Sequence, residues 1–181
     1  MRIFIASDIH GSARYCGKLL EQMEREGAEY LVLLGDILYH GPRNDLPEGY
    51  DPRGVITMLN ALKDKILCVQ GNCDAEVDQM VLDFQIIPGY RVVNLCNRRL
   101  FLTHGHHYHV AESPSPDLLD GAGYVIYGHT HVPLKEQRGD VWYLNPGSVS
   151  IPKAGSAHGC IVMTEEWIQW RDLEGRILDT L

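Results

Sequence analysis

Asp8, His10, Asp36, Asn72, His104, His129 and His131 are the side chains through which this chain could hold metal ions. Carboxylates, imidazoles and one amide oxygen make a mixed oxygen and nitrogen set. Such a set suits manganese, iron, zinc or nickel rather than calcium, and it lacks the thiolates of a structural zinc site. Seven ligands are too many for one ion. Shared through a bridging carboxylate, they suit two ions about 3.5–4 Å apart, the spacing used for in-line displacement at phosphorus. Singly, each residue says little: an Asp after a strand is often a turn residue or a helix cap, and a lone histidine is more often a surface residue than a ligand. The joint pattern carries the reading. Asp8 and His10 stand two apart, as do His129 and His131, and on extended backbone such pairs share one side.

Elements that could position these ligands are visible just before them. Five apolar runs precede them: residues 3–7, 30–34, 66–69, 100–102 and 124–127. Short apolar runs bounded by Gly and polar residues read as buried strands. In sheets with helical crossovers, ligands gather outside the strands' carboxyl ends, so all seven side chains are expected at one rim. Ser12 can cap a helix with Cys16, Leu19, Leu20 and Met23 at helical spacing, stopped by Gly27. Asp51-Pro52 opens a second helix, whose apolar face is Val55, Ile56, Leu59 and Leu62. The second half reads as mostly strand: a hairpin over 91–103 with Asn97 between its arms, another over 134–144 turning at Gly139-Asp140, and a terminal meander over 160–178. The expected fold class is α/β, with two facing mixed β-sheets flanked by helices. Residues 1–181 are expected to form a single domain. Two Gly-, Pro- or His-rich loops, 40–50 and 106–116, are candidate homes for substrate contacts.

Composition narrows the partners. With 24 Asp and Glu against 16 Lys and Arg, and no dense basic stripe, nucleic acid is disfavoured as a partner. No stretch approaches the roughly 20 apolar residues that cross a bilayer, and the opening residues do not read as a signal peptide, so a cytoplasmic location is expected. Five scattered cysteines without a Cys-x-x-Cys pair suggest reduced, mostly structural thiols. Trp142, Tyr143, Trp167 and Trp170 are expected in the core. Any exposed aromatic strand surface would favour a homo-oligomer.

Asp8-x-His10, Gly35-Asp36, Gly71-Asn72-x-Asp74, His104-Gly105-His106 and Gly128-His129-x-His131 stand in an order that resembles the calcineurin-like metallophosphoesterase signature. The segments 35–44 and 145–153 are similar to those of a group of small bacterial phosphodiesterases within it. The resemblance implies that Asp8, His10, Asp36 and His131 hold one metal, that Asp36 bridges, and that Asn72, His104 and His129 complete the other. It implies two facing sheets flanked by helices and a pair of divalent ions, manganese first, with nickel, cobalt, iron and zinc as alternatives.

Two divalent ions lower the pKa of a shared water, so hydroxide between them would attack phosphorus in line. The departing oxygen must then be protonated or stabilised. The set expected to act around the phosphate is Asn72, Cys73, Asp74 and His104. In many members of the family the residue after Gly-Asn is histidine, placed to serve the leaving group, and here it is Cys73. A thiol with a pKa of about 8.5 is a weaker acid than imidazolium and brings no charge. A small phosphodiester with a good leaving group is therefore the expected substrate. Cys73 reads first as a small residue tolerated beside the metals, Asp74 as a residue that orients its loop, and His106 as a partner that fixes His104. Arg43, His40 and Lys153 are candidate substrate contacts, and Asn145-Pro146-Gly147-Ser148 reads as a turn packed under the ligand loops. The alternatives are a phosphomonoesterase or nucleotidase on the same centre, or an interaction scaffold that keeps the fold without catalysis. Nothing in the sequence marks a pocket for a base, sugar or lipid.

Overall fold

A computed structural model describes residues 1–181. In chain order the elements are β1 (Arg2–Ala6), α1 (Ala13–Arg25), β2 (Tyr30–Leu33), α2 (Pro52–Asn60), β3 (Ile66–Cys68), β4 (Tyr90–Leu95), β5 (Arg98–Thr103), α3 (Pro116–Leu119), β6 (Tyr124–Ile126), β7 (Leu134–Arg138), β8 (Val141–Asn145), β9 (Gly159–Thr164), β10 (Ile168–Asp172) and β11 (Ile177–Thr180). They form a six-stranded sheet, β11-β10-β9-β1-β2-β3, and a five-stranded sheet, β4-β5-β6-β8-β7. β1, β2 and β3 run parallel, as do β5, β6 and β8. The remaining pairings are antiparallel.

Period-two alternation explains how the sheets stack. Ile3 and Ile5 of β1 point between the sheets, where they join Val32, Leu100, Leu102, Ile126, Leu144 and Ile161 in one buried cluster. Phe4 and Ala6 point the other way and meet Cys16, Leu19 and Met23 of α1 with Val55 and Leu59 of α2. Each large side chain buried this way contributes about 1.5–3 kcal/mol. The helices start where their caps dictate: the Ser12 hydroxyl accepts from Tyr15 N at 3.3 Å, and the Asp51 carboxylate accepts from Gly54 N at 3.1 Å. The outer face of the five-stranded sheet is covered differently. Phe101, Val125 and Tyr143 pack there against Leu118 and Leu119, which belong to a four-residue helix, α3. Helical cover is thus unequal on the two sides.

The β4–β5 turn is two residues, Cys96 and Asn97, both with positive φ (48° and 56°), as a tight hairpin matched to strand twist requires. Trp170 and Tyr143 are buried, whereas Trp142 and Trp167 are half-buried. All five cysteines are free thiols, and Cys73 alone lies outside the buried class. No helix is long and apolar enough to cross a membrane.

Candidate metal centre

Seven side chains reach the centre from the carboxyl ends of five strands, three in one sheet and two in the other. Asp8 and His10 follow β1, Asp36 follows β2, Asn72 follows β3, His104 follows β5, and His129 and His131 follow β6. The backbone that presents them is not extended. Asp8, His10, Asp36, His129 and His131 have φ of 59°, 48°, 55°, 65° and 60°, in the left-handed region that costs a non-glycine residue about 1–2 kcal/mol. The Asp-x-His and His-x-His pairs therefore converge through curled loops, which corrects the extended-strand expectation. Hydrogen bonds hold the curl. Asp8 N donates to Gly35 O (3.2 Å) and His10 N to Asp36 O (2.9 Å). The hydroxyls of Ser148 and Ser150 both donate to Asp8 O, at 2.9 and 3.1 Å. Glycine is required where the β2 and β3 loops touch. A Cβ on Gly35 (φ 93°) would overlap Gly71 N, and one on Gly71 would overlap Asp36 Oδ1.

Ring orientation decides what these histidines offer. His10 Nδ1 donates to Tyr39 O (2.7 Å), His104 Nδ1 to Leu34 O (2.7 Å) and His131 Nδ1 to Ile151 O (2.6 Å). Each bond takes Nδ1 as the donor and turns Nε2 into the site, where the neutral ring presents a lone pair. The lone pairs then meet only other acceptors. His10 Nε2 lies 3.2 Å from His131 Nε2, and Asp8 Oδ1, buried and without a hydrogen-bond partner, lies 3.6 and 3.3 Å from these two atoms. His104 Nε2 is 3.0 Å from Asn72 Oδ1, 3.3 Å from His129 Nδ1 and 3.3 Å from Asp36 Oδ2. Ligand atoms around an ion at about 2.1 Å stand about 3.0–3.4 Å apart, so the arrangement fits cations. Asp36 Oδ2 belongs to both groups, at 3.7 Å from His10 Nε2 and 3.3 Å from His104 Nε2. Its other oxygen, Oδ1, accepts from Cys73 N at 2.8 Å.

The electrostatics of the buried groups express the same demand for positive charge. Burial works to raise the Asp8 carboxyl, but the adjacent imidazoles of His10 and His131, at 3.6 and 3.3 Å, outweigh it and hold Asp8 well below the carboxylate range. Burial works to lower His104, but the Asp36 contact and the charges of Asp8 and Asp36 raise it to about 9. His129, less enclosed by carboxylates, is lowered by burial and by His104.

Asp74 is not placed for proton transfer. Its two oxygens accept from three backbone donors, Asp36 N (2.8 Å), Ile37 N (2.8 Å) and Gly71 N (2.7 Å), so it ties the Asp36 loop to the Asn72 loop. His106 does not fix His104, because Leu34 O already takes that ring's Nδ1. The His106 ring lies 5.4 Å from His104, centroid to centroid, and its pKa is lowered to about 4, first by burial and then by His104. His107 packs against His106 at 4.1 Å, and His109 Nδ1 accepts from Ala111 N within its loop. The 145–148 turn does underlie the ligand loops: Asn145 Nδ2 donates to Gly128 O at 2.7 Å.

An open cavity of about 360 Å³ lies over the outward face of the centre, where Asp36, Asn72, His129 and His131 are reached from solvent. Cys73, Arg43 and Lys153 line it. The Cys73 thiol is pushed up to about 12 by burial and by the Asp36 carboxylate. His40 does not line the cavity. Its ring packs edge-on against Tyr39 and Tyr50, at 4.8 and 5.4 Å, which turns it away from the rim proposed for it. Thr130, Asn44, Gly41 and Pro42 complete the wall. Gly41, Pro42 and Asn44 belong to the 40–50 loop expected to contact substrate, whereas Thr130 was not singled out although it stands between two ligands.

Residues 1–166 match the family model of the calcineurin-like phosphoesterase superfamily domain. The chain is 50% identical over 156 residues to phosphodiesterase YfcE of Escherichia coli strain K12, covering 86% of this chain and 83% of that protein. It is 29% identical over 153 residues to phosphodiesterase MJ0936 of Methanocaldococcus jannaschii, covering 81% and 83%. A solved structure of YfcE, described as a phosphoesterase from E. coli, superposes with a TM-score of 0.92 at 43% identity, covering 100% of this chain and 98% of that one.

Proposed function

The chain belongs to the calcineurin-like phosphoesterase superfamily, and we propose that it is a phosphodiesterase that acts through two divalent ions sharing Asp36. Its relatives' names support the diesterase activity. The two-ion reading rests on one observation: two groups of inward-facing acceptors have Asp36 Oδ2 in common. Asp8, His10, Asp36 and His131 would hold one ion, and Asp36, Asn72, His104 and His129 the other. When bound, the ions would supply an acidified water and neutralise phosphate oxygens. The protein's own part is preorganisation. Carbonyls of Tyr39, Leu34 and Ile151 hold three imidazoles with Nε2 turned into the centre, and the buried carboxylates of Asp8 and Asp36 supply the negative charge that retains cations. Asn72, exposed at the cavity, stands where a phosphate oxygen would approach.

Acid assistance to the leaving group is the weak element, because Cys73 offers a neutral thiol at the cavity wall. Diesters with good leaving groups are favoured for that reason, and alkyl monoesters are disfavoured. Metal-free protein reconstituted in turn with manganese, nickel, cobalt, zinc and magnesium should hydrolyse bis(p-nitrophenyl) phosphate at least about tenfold faster than p-nitrophenyl phosphate, with manganese among the best. Equal or faster turnover of the monoester refutes the diesterase assignment.

Cys73→His tests the leaving-group argument by itself. An imidazole at this wall should raise kcat/KM for monoesters by about a hundredfold if it is well placed, the low end of general acid contributions. Unchanged selectivity between monoester and diester would remove the thiol from the account.

A further inference from the structure

Of the 16 Lys and Arg side chains, Arg43, Arg53, Lys65 and Lys153 have neither an ion pair nor a hydrogen bond, and two of these four line the cavity. In a chain with a formal net charge of −8, the pairing of most of the other cations sets apart the two at this wall. They also stand on segments pinned to the centre. Lys153 N donates to the carbonyl of His131 at 3.1 Å. The Arg43 loop is closed by Asn44 Nδ2 on His40 O at 2.8 Å, and Gly41, buried, abuts the Cys73 thiol.

We infer that Arg43 and Lys153 receive a second anionic group of the substrate, so that the diesters this site takes carry a phosphoryl group beyond the scissile one. The inference rests on the diesterase reading for the position of the scissile phosphate. A diester brings one negative charge, which two divalent ions already outweigh, and that leaves the two wall cations without an anion. Arginine's planar fork matches phosphate oxygens, and a lysine adds a point charge beside it. The wall's apolar surface is limited to Pro42 and the Cys73 thiol, and it has no aromatic ring other than the imidazoles of His129 and His131. A nucleobase draws on aromatic stacking, so a small polar phosphorylated alcohol fits this wall better than a nucleoside.

Three p-nitrophenyl diesters separate the cases at low ionic strength: the propyl ester, the 3-phosphooxypropyl ester and the thymidine 5′-ester. The phosphooxypropyl ester should show a KM about tenfold below that of the propyl ester. Arg43→Gln and Lys153→Gln should each raise that KM several-fold more than they raise the propyl ester's. The thymidine ester should gain nothing over propyl. Equal KM values for propyl and phosphooxypropyl, with bis(p-nitrophenyl) phosphate still turned over, overturn the second-anion site and leave the diesterase reading intact. Loss of turnover on every diester is instead a failure of the diesterase reading. Binding gives a readout independent of activity: inorganic phosphate added to metal-free protein should shift the backbone amide signals of residues 43, 44 and 153, and the Arg43→Gln/Lys153→Gln double variant should abolish the shifts. Absence of shifts in the unsubstituted protein overturns the inference whatever the activity.

Discussion

Asp36→Asn should lower kcat/KM on bis(p-nitrophenyl) phosphate by about a thousandfold, or about 4 kcal/mol of transition-state stabilisation. The substitution isolates one property. Asn tolerates the positive φ of 55° better than most residues, and its amide oxygen can keep the bond from Cys73 N that Asp36 Oδ1 now accepts. What disappears is the anionic Oδ2 that stands between the two ligand groups, 3.7 Å from His10 Nε2 and 3.3 Å from His104 Nε2. Replacing it with an NH2 places a donor where both ions need an acceptor. Thermal unfolding of the metal-free variant should be lowered modestly near neutral pH, because Asp36 faces a His104 imidazole at 3.3 Å whose pKa it raises. A variant retaining full activity is incompatible with a shared carboxylate.

Asp74→Ala is expected to be the most damaging substitution for stability among the residues around the centre. It removes the acceptor of Asp36 N, Ile37 N and Gly71 N together, and all three donors are in buried backbone. At about 1–3 kcal/mol for each unsatisfied donor, the loss is about 3 kcal/mol or more after partial rescue by water. A urea midpoint lower by about 1–2 M follows from typical denaturant slopes. Metal affinity should fall with stability, since the same carboxylate joins the loop of Asp36 to the loop of Asn72. Asp74→Asn keeps one acceptor oxygen and should fall between the two. If Asp74→Ala unfolds like wild type but is inactive, the carboxylate acts on substrate and the positioning role assigned to it is wrong.

Much of the centre was legible because its physics is local. Strands buried on both faces need continuous apolar runs, so Ile3–Ala6 and Leu31–Leu33 announced themselves, and the ligands follow within a few residues. Ser12 and Asp51 cap the helices they were expected to cap for the same reason. What stayed hidden depends on long-range partners. The left-handed backbone of Asp8, His10, His129 and His131 has only a weak signature in residue type, because Asp and His are enriched there yet far more often adopt ordinary backbone. It is imposed by contacts such as Ser148 and Ser150 on Asp8 O, across about 140 residues of chain. The Leu34 carbonyl that fixes His104 lies 70 residues away, which is why the sequence pointed to the nearer His106 instead. His40 stood four residues past a ligand, but two tyrosines capture its ring. The thin cover on the five-stranded sheet was equally unreadable, since Leu118 and Leu119 make the same packing demand whether they sit in one helical turn or in several.

Manganese titration of the metal-free protein, followed by metal analysis and electron paramagnetic resonance, tests the shared-ion centre most directly. Two manganese ions should bind per chain, and at saturation their spectrum should be that of an exchange-coupled pair joined through one carboxylate oxygen. One ion per chain at saturation, or two ions with uncoupled spectra, would contradict the account.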